Sequence, residues 1–111
     1  MITFDIPEEF GYMEHGLVDA LKMVIDPELN INIIDLGLVY SFALNQTEMS
    51  IRVEMTLSSK FCPMGESIVS AVKNCIERTY RDFKAEVELV WHPMWNYDFI
   101  SPAGLSQLKG V

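Results

Sequence analysis

The chain has 111 residues, with 8 Lys and Arg against 16 Asp and Glu and a formal net charge of −8. Half of the residues are hydrophobic and 22% are charged, which is the balance of an ordered globular chain and excludes the polar, highly charged composition of disorder. An acidic surface with no cluster of Lys or Arg repels phosphate backbones and anionic lipid headgroups, so nucleic acid and membrane are excluded as expected partners.

At this length one domain is expected, with core enough to fold without a disulfide or a metal. Residues 1–12 carry Asp5, Glu8 and Glu9 and no basic residue, and no apolar run reaches the ~18 residues of a membrane span. Neither a secretory leader nor a span is expected, which predicts a cytoplasmic protein. Its two cysteines, Cys62 and Cys75, form no C-x-x-C and should stay as thiols in a reducing compartment. The first dozen residues read as an N-terminal extension and 13–111 as the single domain.

Leu17, Ala20, Leu21, Val24 and Ile25 recur at helical spacing, predicting a helix from about Glu14 to Ile25 that stops at Asp26-Pro27, because Pro drives the preceding residue out of the helical region. The loop to Asp35 then places Asp26, Glu28 and Asp35 within ten residues. Carboxylates there bind a cation or accept protons. The simpler local role is to close a helix end and cap turns, since short polar side chains bond nearby backbone N–H groups.

Leu38, Tyr40, Phe42 and Leu44 alternate, as do Ile51, Val53, Met55 and Leu57, with a polar turn at Asn45-Gln46-Thr47-Glu48 between the two runs. This is the pattern of an antiparallel hairpin with one face on the core. Thr56 falls on the other face, and Ser58 and Ser59 lead on toward Cys62. Their hydroxyls are placed to orient a thiolate or a ligand; the plainer reading is a solvent-facing strand end, where Thr is at home.

Pro63 suits the first position of a helix, which puts Cys62 at or beside the N-cap. Backbone N–H groups and the helix dipole stabilise a thiolate there, the form that attacks electrophiles and binds metal. The helix should run to about Tyr80 or Asp82 on the stripe Met64, Ile68, Ala71, Val72, Cys75, Ile76 and Thr79. Cys75, on that stripe, reads as an inert core residue.

Ala85, Val87, Leu89 and Trp91 alternate into a third strand, His92-Pro93-Met94-Trp95 breaks the pattern, and Ser101-Pro102 caps a short last helix. Trp91, Met94, Trp95, Tyr97 and Phe99 either cover the core or form a patch for a partner, as aromatic and Met side chains are enriched at interfaces. His15 and His92 have no metal-ligand neighbour in sequence, so a spaced Cys/His zinc site is not expected. The expected fold is α+β: a small sheet of about three strands with helices on one face, in the order α-β-β-α-β(-α).

The run VIDPELNINIIDLGLVY from Val24 to Tyr40, followed by MTLSSKFCP from Met55 to Pro63 and by WHPMW and SPAGL downstream, resembles the family of metal-sulfur cluster assembly factors that includes the bacterial SufT and PaaD proteins and the cytosolic assembly component of eukaryotes. The likeness covers roughly residues 15 to 110. It implies an iron-sulfur cluster assembly type of α+β domain that acts in maturing iron-sulfur proteins and not as an enzyme. Carried over by position, its site is Cys62 as metal or cluster ligand with Asp26, Glu28, Asp35 and Thr56 in support; the residues themselves add Ser58 to that support and Trp91, Met94 and Trp95 as the surface expected to face a partner. Where the family usually has Gly before the cysteine this chain has Phe61, which resists backbone conformations that Gly permits.

Clusters are ordinarily held by four thiolates, and this chain offers one. The implied cargo is therefore transient, iron, sulfur or a labile cluster, with no tightly bound cofactor. The implied partners are iron-sulfur assembly proteins and client apoproteins, together with a homodimer whose two facing subunits bring two thiolates. The alternatives are an adaptor that docks assembly machinery to clients, including a PaaD-like role for an aromatic-degradation oxygenase, and a thiol enzyme with Cys62 as nucleophile and Asp35 or a histidine as base.

Overall fold

The structure is a computed structural model, and it describes residues 2–59 and 64–109. β1 (Thr3–Asp5) is followed by a 3-10 turn over Glu8–Phe10 and by α1 (Met13–Leu21); β2 (Ile25–Asp26) and β3 (Ile31–Asn32) form a small hairpin. β4 (Val39–Asn45) and β5 (Ser50–Met55) pair antiparallel, α2 spans Gly65–Thr79, β6 spans Lys84–Leu89, and α3 (Pro102–Lys109) closes the chain. The main sheet has four strands in the order β1-β4-β5-β6, with β1 and β6 parallel to their neighbours. The α+β class and the central hairpin are as expected.

Two differences have local causes. The sheet gains a strand from the first dozen residues, because Thr3, Phe4 and Asp5 align with Ser41, Phe42 and Ala43 and Phe4 stacks on Phe42 at 5.6 Å between ring centroids. Three residues are too few to show a period, so only the contact with Phe42 reveals them. The first helix ends at Leu21 instead of Ile25: Val24 O accepts from Ile33 N at 3.0 Å and Asp26 O from Asn30 N at 2.7 Å, with Asn30 at φ 59° closing the turn. Cross-chain bonds thus replace the last helical turn. Val24 stays buried while Met23 and Ile25 turn outward.

Ile68, Val72 and Ile76 of α2, spaced by four, and Leu17 and Leu21 of α1 bury themselves in one core with Phe42, Leu44, Ile51, Val53, Met55 and Ala85 of the sheet. The opposite side of the sheet carries Arg52, ion-paired to Glu88, and Glu54, which accepts from Ser41 Oγ at 3.0 Å. This inside-outside alternation is what the hairpin sequence dictates. The expected Cys62 N-cap and Pro63 helix start lie outside the described residues; the described helix begins at Gly65.

Candidate functional site

Asp26 ends β2 with its side chain 0% exposed. Its Oδ1 accepts from the backbone N–H of Glu28 at 2.8 Å and of Leu29 at 3.1 Å, holding the Pro27-Glu28 turn as a short polar side chain does. Its Oδ2 is buried and has no hydrogen-bond partner among the described residues. The turn requires only the first oxygen, and burying the second without a partner costs free energy. Glu28 is exposed and contributes its backbone N–H to Asp26.

Asp35 is engaged at both oxygens. Oδ2 accepts from Asn32 Nδ2 at 2.7 Å and Oδ1 from Ser101 Oγ at 2.8 Å, while Asp35 O accepts from Ser101 N at 2.7 Å. Ser101 Oγ also accepts from Gly104 N at 3.1 Å, capping α3. Asp35 is therefore a clasp between the loop and α3, a longer-range role than the turn cap that its sequence neighbourhood suggests.

Thr56 is 1% exposed, which corrects its expected solvent-facing position. Its N–H donates to Leu38 O at 2.8 Å, and its side chain hydrogen-bonds Tyr40, whose hydroxyl donates to Pro93 O at 2.8 Å. Through Tyr40, the end of the hairpin is thus tied to the segment after β6. Burial pushes the Tyr40 phenol above its ordinary value, against the opposing pull of the Thr56 hydrogen bond. Tyr40 was missed as a candidate because the bond that engages it spans 53 residues. Ser58 is half-buried just beyond β5.

Trp95 Nε1 donates to Leu36 O at 2.6 Å, and its ring meets Tyr97 edge-on. Trp91 is likewise packed against the core, whereas Met94 is 77% exposed. Cys75 is half-buried on α2, its thiol donating to Ala20 O at 3.1 Å. Burial pushes that thiol up, partly offset by the Arg78 charge and by Thr79, so it is a poor nucleophile. Cys62 lies outside the described residues. Among the described residues no three His, Cys, Asp or Glu side chains are grouped to hold a metal ion, and no hydrogen bond joins the Asp26, Asp35 and Thr56 networks to one another.

With this geometry in view, the sequence profile described as "Iron-sulfur cluster assembly protein" matches residues 15–89. The chain is 44% identical over 79 residues to the "Fe-S protein maturation auxiliary factor SufT" of Staphylococcus aureus, a match covering 71% of this chain and 89% of that protein. It is 35% identical to the "Fe-S protein maturation auxiliary factor YitW" of Bacillus subtilis, over 80% of this chain and 86% of that one. A crystal structure of a domain of unknown function from Bacillus anthracis superposes with a TM-score of 0.83 at 34% identity, over 89% of this chain and 93% of that chain.

Proposed function

Because the chain belongs to the iron-sulfur cluster assembly protein family, we propose that it is a non-catalytic accessory factor in the maturation of iron-sulfur proteins. In this reading Cys62 carries iron, sulfur or a labile cluster on the way to a client apoprotein, in the cytoplasm. Two of its relatives are named as maturation auxiliary factors. Among the described residues no helix is long and apolar enough to cross a membrane.

The observation that carries the reading is the unused, buried oxygen of Asp26. A group that a stable fold would rather pair or replace is a candidate for use in function. Asp26 lies in the DPEL stretch of the family resemblance, and its Oδ2 is the oxygen that the turn leaves free to meet a cation or a proton. Asp35 and Thr56, by contrast, support the site through the bonds that fix the surrounding loops. A single thiolate with carboxylate help suits a passing cargo and not a resident cluster, which wants four thiolates. The partners in this reading are assembly proteins and client apoproteins, with a second copy of the chain able to supply a second thiolate.

Anaerobic reconstitution with ferrous iron and sulfide tests the proposal, read by visible absorption and by metal content per chain. Wild type is expected to gain a labile chromophore that Cys62→Ser lacks. Equal binding by both, or by neither, would overturn the carrier role and leave the adaptor. One feature favours that second reading: Met94 and Tyr97 stand exposed beside the anchored Trp95, as a contact patch for a docked protein would.

A further inference from the structure

A groove runs along α2 between that helix and the turn that follows α1, lined by Met23, Ile25, Met64, Ile68, Ala71 and Arg78 among others. Three of these belong to the large apolar side chains that the fold leaves outside: Met23 is 79% exposed, Ile25 47% and Met64 43%. Their exposure is imposed by the fold, since α1 stops at Leu21 and the β2–β3 hairpin points Ile25 away from the core. Positions 64, 68, 71, 75 and 78 follow the helical repeat, so the stripe extends for ~20 Å at 1.5 Å per residue.

The charge of the groove sets it apart. On a chain of net charge −8, no described residue lining it is acidic, and it holds the cation Arg78. Among the described residues no carboxylate lies within ion-pair distance of Arg78. A second copy of this chain would set −8 against −8, a repulsion that works against self-association through this groove. Flexible Met side chains at its edge adapt to partners of differing shape.

We infer that this groove docks an amphipathic helix of a partner protein, which lays Leu, Met or Phe side chains at i, i+3 or i+4, and i+7 along α2 and presents a carboxylate to Arg78. The partner's apolar face removes Met23, Ile25 and Met64 from water, and its acidic residue pairs with an Arg78 that no described carboxylate engages. Recognition of this kind needs no iron and no thiolate chemistry, so it stands or falls independently of the cargo reading.

The probe is a phage-displayed library of random 16-residue peptides selected on the full chain, with the recovered peptides synthesised and titrated by calorimetry. Recovered sequences are expected to show apolar residues at helical spacing with at least one Asp or Glu. Their affinity should fall about tenfold or more for Arg78→Glu and for Met23→Asp, as for central groups of an interface. Both positions are exposed, and thermal melting checks that each variant folds. Replacing the peptide's acidic residue by Lys should restore binding to Arg78→Glu. Recovery of no binding peptide, peptides rich in Lys and Arg, or peptides that bind both variants as they bind wild type would overturn the inference.

Discussion

Single atoms decide what Asp26 does. Its Oδ1 serves two backbone N–H groups and its Oδ2 serves none among the described residues, so the two halves of one carboxyl group separate by substitution. Asp26→Asn keeps an acceptor for the turn, so its urea midpoint should fall by less than that of Asp26→Ala. Asp26→Ala strips both N–H groups of their partner and should cost about 1–3 kcal/mol. In the reconstitution assay Asp26→Asn should lose metal while remaining folded. If Asn destabilises as much as Ala, the second oxygen belongs to the fold and its functional role fails.

At the scale of elements, α3 is held by side chains that lie far from it in sequence. Ser101 caps the helix and binds Asp35 at the same time, and Gly104 lies so close that a Cβ there would stand 3.0 Å from Asp35 O and 2.7 Å from Ile100. Ser101→Ala should cost about 1–2 kcal/mol, the range for loss of a helix cap. Amide exchange of residues 103–109 should quicken while β4 and β5 keep their protection. Equal acceleration everywhere would mean that α3 unfolds only with the whole domain. Gly37 belongs to the same junction: at φ 77° its backbone passes against Phe99, leaving no room for a side chain. At the contact of α1 with α2, Tyr80 lies across Gly16 in the same way.

For the molecule as a whole, three groups make stability depend on alkaline pH in one direction. Burial raises Cys75 above its ordinary 9.0 and Tyr40 and Tyr80 above 10.0. Between the ordinary and the raised values the unfolded chain binds fewer protons than the native one, so the slope of unfolding free energy with pH is negative. The stabilisation is complete below the ordinary values and is lost as pH rises through the raised ones. The urea midpoint should therefore fall between about pH 8 and pH 11, and Tyr80→Phe should flatten part of that fall. A midpoint constant over this range would contradict the buried, protonated state of these side chains.

Where a repeating pattern meets a core and no distant segment intervenes, the sequence by itself determined the outcome. The β4–β5 hairpin, the stripe of α2 and the Ser101 cap were all legible, because amphipathic periods and caps are local and their physics acts within a few residues. It also brought Asp26, Asp35 and Thr56 forward as candidate site residues. The contacts between distant segments were left to tertiary structure. β1 exists because Phe4 finds Phe42, α1 shortens because the hairpin captures Val24 and Asp26, and Thr56, at the end of the hairpin, is buried and bonded to a Tyr40 that in turn reaches Pro93. Only the folded molecule distinguishes the three carboxylates: Glu28 exposed, Asp35 clasped to α3, Asp26 with an oxygen left over. A carboxylate's neighbours across 66 residues of chain, as between Asp35 and Ser101, leave no periodic trace in sequence, and they decide whether it holds the fold together or stays free for chemistry.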